Sequence, residues 1–312
     1  MRNPQSQGTD QHDRARSLIA SRPRLRDRLL AVQPLWLPTV LLIPLLYAGG
    51  WLLAWPLRLI GLPGEQHALV GTVITFLLLL LVLPEWCRLR WHSRSCWRSL
   101  GLRGGGGRDN CRRLLPALLR GLVLAVILLA LVTLPLLLGS WAHWLGEWSL
   151  PRSINALALL LGVGIAEELI FRAWLWRELD LLMGSASAVT VQALIFSLVH
   201  TRFNLGLGPM IGLLSGLMLL GLCLAAQRRL DGGSLWGCIG LHGGLVSGWF
   251  LLQNGLLQLS PDAPTWLVGP GGAAANPLGG AIGICGLLIL LVIQLTAVAR
   301  AARPATGARN AS

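Results

Sequence analysis

Lysine is absent from this chain of 312 residues, and charge of either sign is scarce. All 26 basic residues are Arg, 13 residues are Asp or Glu, and charged residues make up 12% of the sequence. Ordinary soluble domains carry about 25% charge, so a water-soluble globule is excluded. Period-two alternation of apolar and polar residues is also missing, which argues against a membrane β-barrel. No compact apolar core with a small-residue cleavage site precedes the first long apolar run, so a secretory signal peptide is not expected. The run Gly104 to Gly107 lacks the Gly-Lys-Ser/Thr ending of a phosphate loop and reads as a flexible connector. Cys87, Cys96 and Cys111 have spacings unlike a CxxC zinc pair, and a reducing compartment disfavours disulfides among them.

Hydrophobic residues dominate instead, at 54% of the chain, with a mean hydropathy of +0.63. Eight apolar runs, at about 35–57, 67–86, 114–138, 153–176, 185–201, 207–226, 234–256 and 276–299, approach or exceed the roughly 20 residues that cross a bilayer as a helix. Only helices and closed barrels satisfy the backbone in lipid. The predicted fold is therefore all-α, a polytopic transmembrane helical bundle of about eight spans. Its expected parts are a basic N-terminal tail (1–33) lying on anionic lipid and N-terminal transmembrane helices (34–150) with a basic loop (87–113). A core of helices (151–256) follows, then a last helix with a short tail (257–312).

The Arg residues fall in clusters: seven before residue 30, eight from Arg88 to Arg113, Arg228 with Arg229, and Arg300, Arg303 and Arg309. With eight spans all of these lie on one side of the bilayer, the positive-inside asymmetry. That predicts a multi-pass integral membrane protein with both termini cytoplasmic, and it accounts for the net charge of +13 without nucleic acid as a partner. Most of the fourteen Trp, including Trp36, Trp55, Trp86, Trp91, Trp141, Trp144, Trp148, Trp174, Trp176 and Trp236, sit near span ends and read as an aromatic belt. Cys223, Cys238 and Cys285 lie within spans and read as small apolar packers.

Within this apolar background Glu167 and Glu168 stand out as the only acids deep inside a hydrophobic run. A carboxylate near the bilayer midplane costs roughly 2.5–3.5 kcal/mol on insertion scales, so such residues face a protein interior or a wet cavity. Glu168 and Arg172 are i,i+4 neighbours with the acid first, the favourable order for a helical ion pair. Pairing them leaves Glu167, about 100° around the helix, as the unneutralised acid, the kind of group that suits general acid–base chemistry. His200 closes the fifth run and His242 lies within the seventh beside Gly243 and Gly244, which let another backbone come close. Depths along the helices agree for Glu167 and His242. His200 fits less well unless the fifth helix starts late.

Glu167-Glu168-x-x-x-Arg172, Phe196-x-x-x-His200 and His242, on successive spans, resemble the signature of the CAAX prenyl protease and bacteriocin-processing (CPBP, Abi) family of membrane proteases. The resemblance covers about residues 150–255. It implies an intramembrane endopeptidase acting on a peptide or membrane-protein substrate, prenylated or not. Glu167 would activate water with His200, and His242 would stabilise the oxyanion. Glu168, Arg172 and Phe196 would be supporting residues. Glu167, His200 and His242 would also make a zinc set. There is, however, no HExxH, and no clear carboxylate is evident to orient the imidazoles, so a metal-free glutamate mechanism is the preferred expectation.

The family places Asn four residues after the last His, where this chain has Val246. Asn204 is the expected substitute donor if the fifth helix continues that far, and Ser247 is a poorer one. Three other readings stay open. One is a non-catalytic scaffold or immunity-type protein of the same fold, and a second is a proton-coupled transporter, for which no internal repeat is evident. The third is a rhomboid-like serine protease using Ser215 and His242.

Overall fold

A computed structural model describes residues 30, 35–61, 63–104, 109–271 and 275–302. The tail 1–33 (apart from residue 30), most of the glycine run, and the C-terminal tail beyond residue 302 lie outside the described residues. The chain divides into two compact units, Met1–Cys96 and Trp97–Ser312. The first holds α1 (Trp36–Ala54) and α2 (Gly64–Arg90), packed along each other. At their contact Gly50 meets Gly71 and Thr75 so closely that a Cβ there has no room.

The second unit contains α3 (Asp109–Leu138), β1 (Ala142–Trp144), α4 (Leu150–Glu167), a π-helical segment (Glu168–Leu175) and α5 (Trp176–Met183). After these come α6 (Ser185–Leu198), α7 (Leu207–Leu230), α8 (Trp236–Leu251), β2 (Leu257–Leu259) and α9 (Ala281–Ala301). The helical-bundle expectation holds, and the number of long spans changes. Among the described residues six helices are long and apolar enough to cross a membrane: Trp36–Leu59, Gly64–Arg90, Leu114–Leu138, Leu150–Met183, Leu207–Leu230 and Ala281–Ala301. The other two expected runs form shorter helices. α6 has 14 residues and α8 has 16, about 21 and 24 Å at 1.5 Å per residue, against a hydrocarbon core of about 30 Å.

The reason lies in what each helix faces. α8 is mostly buried against α3 and α4. Its glycines serve both contacts: Gly240 and Gly244 let α3 approach, and Gly243 lies on the backbone of Leu160 in α4. Small residues at such contacts are the main route to close helix packing in lipid. α8 lies along α3. At its start the Leu235 amide and the Trp236 indole donate to the carbonyls of Gly101 and Leu102. Beyond its end β2 pairs antiparallel with β1, Ala142 opposite Leu259 and Trp144 opposite Leu257. The connections after α3 and after α8 therefore lie at the same end of the unit.

A Cβ at Gly243 would stand 3.2 and 3.3 Å from the carbonyl carbon and Cα of Leu160, and neither can turn away as a side chain would. Gly243→Ala is expected to lower stability by about 1–3 kcal/mol, the cost of overpacking. Thermal unfolding of purified protein in detergent checks this, and an unchanged midpoint would contradict the packing.

Trp86, Trp91, Trp174 and Trp176 are buried within the protein, whereas Trp36, Trp55, Trp144 and Trp148 are exposed. Gly212 and Gly216, which flank Ser215, pack against Gly279 and Leu278, while Ser215 is itself exposed. The Gly-rich stretch around that serine is thus explained by helix contact.

Candidate active site

The acidic motif sits where an α-helix changes pitch. α4 ends at Glu167 and the next eight residues, Glu168–Leu175, form a π-helix before α5 resumes the α pitch. π-segments are rare and concentrate at functional sites. Here the wider turn carries Glu168, Phe171 and Arg172 together, and both adjacent acids reach one imidazole. His242 Nδ1 lies 2.8 Å from Glu168 Oε1, and its Nε2 lies 3.8 Å from Glu167 Oε2. The ordinary helical spacing assumed from sequence does not anticipate this shared partner.

Glu168 and Arg172 have no exposed side-chain surface and pair at 3.2 Å. Their environment offsets part of the burial cost. The guanidinium carbon stands 3.9 Å over the Phe196 ring, a cation–π contact that strengthens when water is excluded. Phe196 also meets Phe171 edge-on at 5.2 Å, His242 edge-on at 5.6 Å and His200 at 4.9 Å between centroids. The aromatic position of the second motif is thus the hub about which cation and imidazoles are arranged.

His200 meets the others because roughly equal lengths of chain separate Glu167 and His200 from the reversal at Gly184, where φ is +81°. α6 stops at Leu198 and His200 follows in a turn, its amide donating to the Ser197 carbonyl. Its Nδ1 is 2.7 Å from the Phe196 carbonyl, which accepts the ring N–H, and its Nε2 faces Glu167 Oε2 at 3.6 Å. The depth mismatch expected for His200 is therefore not present. The early end of α6 has a second consequence. Asn204 lies exposed in the 3₁₀ turn Phe203–Leu205, so the helical continuation that would carry it one turn beyond His200 does not form. Val246 is half-buried on α8, and the Ser247 hydroxyl donates to the Gly244 carbonyl within its own helix at 3.3 Å.

Glu167 Oε2 thus faces both His200 Nε2 and His242 Nε2 at distances longer than ordinary direct hydrogen bonds. Glu167 is 27% exposed, His200 33% and His242 6%, so the trio opens to its surroundings on one side. Glu167 Oε2 is itself buried. The orienting acceptors thought to be missing are present: Glu168 for His242 and the Phe196 carbonyl for His200. Those are the outer partners that metal-bound imidazoles usually have. Even so, no group of three His, Cys, Asp or Glu among the described residues has the geometry to hold a metal ion. The 3.6 and 3.8 Å separations exceed the about 3.3–3.4 Å edges of a tetrahedron with 2.0–2.1 Å zinc bonds.

One contributor escaped sequence reasoning. Arg228, read as a cytoplasmic charge after a span, donates through Nη1 to the Arg172 carbonyl inside the π-segment and through Nε to Gly233 O at 3.2 Å. It also stacks 5.3 Å from the Trp176 ring. An Arg pair after a span is so common that no sequence signal singles it out.

Residues 16–95 match a family described as "Domain of unknown function (DUF8676)". No curated protein matches the chain. Residues 147–247, which contain both acids, Arg172, Phe196 and both histidines, match the family described as "Type II CAAX prenyl endopeptidase Rce1-like". The match coincides with the segment in which the three motifs lie and with the elements α4 to α8 that bring them together, so this segment of the chain is similar to the Rce1-like type II CAAX prenyl endopeptidases.

Proposed function

We propose that this protein is an intramembrane endopeptidase that hydrolyses a CAAX-type peptide bond with a water activated by Glu167. The observation that carries the reading is the approach of His200 Nε2 and His242 Nε2 to the same Glu167 oxygen, at 3.6 and 3.8 Å. Glu167 takes a proton as the water oxygen attacks the carbonyl carbon. His200, with its Nδ1–H bound to Phe196 O, offers Nε2 as an acceptor that orients the same water. His242, protonated on both nitrogens, donates Nδ1–H to Glu168 and Nε2–H to the developing oxyanion. Collapse of the tetrahedral intermediate breaks the C–N bond, and Glu167 returns its proton to the departing amine.

The Arg clusters favour both termini on the cytoplasmic side, the side on which a prenylated C-terminus is presented. In proteoliposomes the protein is expected to release the last three residues of a farnesylated peptide ending in a CAAX sequence, read by mass spectrometry. Release from neither the prenylated nor the unprenylated peptide would end the reading. The proposed mechanism uses no metal, so the rate is expected to be unchanged by 1,10-phenanthroline. Inhibition reversed by added zinc would move Glu167, His200 and His242 to the role of ligands.

A second reading, a non-catalytic scaffold of the same fold, is favoured by Val246, since loss of one oxyanion donor typically costs about 10²–10³ in rate. Val246 lies one helical turn beyond His242 on the same face. Val246→Asn is therefore expected to raise turnover, by up to about 10²-fold, as measured in the same peptide assay. No change would mean that another donor already fills the role.

A further inference from the structure

We infer that Cys87 and Cys96 form a reversible intramolecular disulfide, a modification site in the first unit, separate from the acid–histidine cluster. Cys87 lies in the last turn of α2 and Cys96 opens the short helix Cys96–Ser99, yet their sulfurs are 2.7 Å apart, in hydrogen-bond contact, and both residues are buried. Nine residues of sequence separation would allow many other arrangements. The chain is turned back on itself by a specific device: both the Trp91 and Ser93 amides donate to the Cys87 carbonyl, at 3.2 and 3.0 Å, and His92 adopts φ +51°. A non-glycine residue in the left-handed region is uncommon and is held there by its surroundings. The product of that reversal is the meeting of the two thiols.

The chemistry follows from the contact. A thiolate of the pair attacks hydrogen peroxide, the O–O bond breaks, and hydroxide leaves to become water, giving a sulfenic acid. The second sulfur then attacks the sulfenic sulfur, the S–S bond forms, and a second water departs. Two thiols and one peroxide thus become one disulfide and two waters, and a thiol reductant reverses the change. The hydrogen bond with Cys87, together with burial, pushes the Cys96 thiol above its ordinary range. In a reducing cytoplasm the dithiol is the resting state, and the disulfide is the transient, oxidant-dependent form expected of such pairs there.

The test uses the full chain in detergent, treated with hydrogen peroxide or with diamide, then denatured, alkylated and cut with trypsin without reductant. The tetrapeptide Ser95–Arg98 is expected to appear linked to the peptide ending at Arg88, and the number of alkylated cysteines to fall from six to four. Dithiothreitol is expected to restore six. Cys87→Ser and Cys96→Ser should each abolish the linked peptide. Six alkylated cysteines after both oxidants, linkage of a different pair, or linkage that forms only after unfolding would each overturn the assignment.

Discussion

Glu167→Gln is expected to reduce peptide hydrolysis by about 10²–10⁴-fold, the usual contribution of a positioned general base, while changing the stability of the fold little. The amide keeps the size and shape of the side chain but cannot take the proton of water. The stability half of the expectation comes from what Glu167 touches. Its carboxylate is 27% exposed and meets the two imidazoles only at 3.6 and 3.8 Å, so no direct hydrogen bond is lost. The exchange removes the attraction of the acid for the two imidazoles together with its desolvation cost, and the two largely offset each other. Initial rates with a farnesylated peptide and melting curves in the same detergent measure both halves. Full activity in Glu167→Gln would exclude Glu167 as the base. A protein that cleaves nothing even as wild type, yet keeps a cellular effect in both forms, would be the scaffold instead.

The candidate site was legible in sequence to the extent that its members violate their surroundings. Acids, Arg172 and two imidazoles in apolar runs are costly enough that each must face something, and three short motifs named the family before any geometry was known. Their mutual arrangement was not legible, because it depends on a change of helical pitch. Nothing in Glu-Leu-Ile-Phe-Arg-Ala-Trp-Leu distinguishes eight residues of π-helix from two turns of α-helix. The pitch is sustained by tertiary contacts such as Arg228 to the Arg172 carbonyl. The orienting role of Glu168 toward His242 was hidden for the same reason.

The two short helices were hidden in a related way. A run such as 234–256 is equally apolar whether it faces lipid or the backbones of neighbouring helices, and only the glycines at 240, 243, 244 and 248 hinted at the second. The short α6 was obscured because the apolar residues Leu198 and Val199 run on toward His200 without a breaker. The end of that helix, rather than its sequence, is what excludes Asn204 from the cluster.

The largest stability effect is expected at the pair that carries no exposed surface. Arg172→Ala leaves the Glu168 carboxylate in an apolar interior with His242 as its remaining close partner, and removes the guanidinium from the face of Phe196. Breaking a buried ion pair from one side typically costs about 3–5 kcal/mol, a large part of the margin of an ordinary fold. The double variant Glu168→Leu with Arg172→Met removes both charges while filling similar volume, and such replacements are often neutral or stabilising. Melting should therefore recover in the double variant. Activity should not recover with it, because the acceptor that fixes His242 through Nδ1 is gone, and loss of such an orienting partner costs roughly 10–100-fold at metal sites. That split separates two roles the geometry combines in Glu168: neutralising a buried cation and aiming an imidazole at Glu167. A double variant that regains both stability and rate would show the pair to be structural only, and Glu168 would then have no part in setting the histidine.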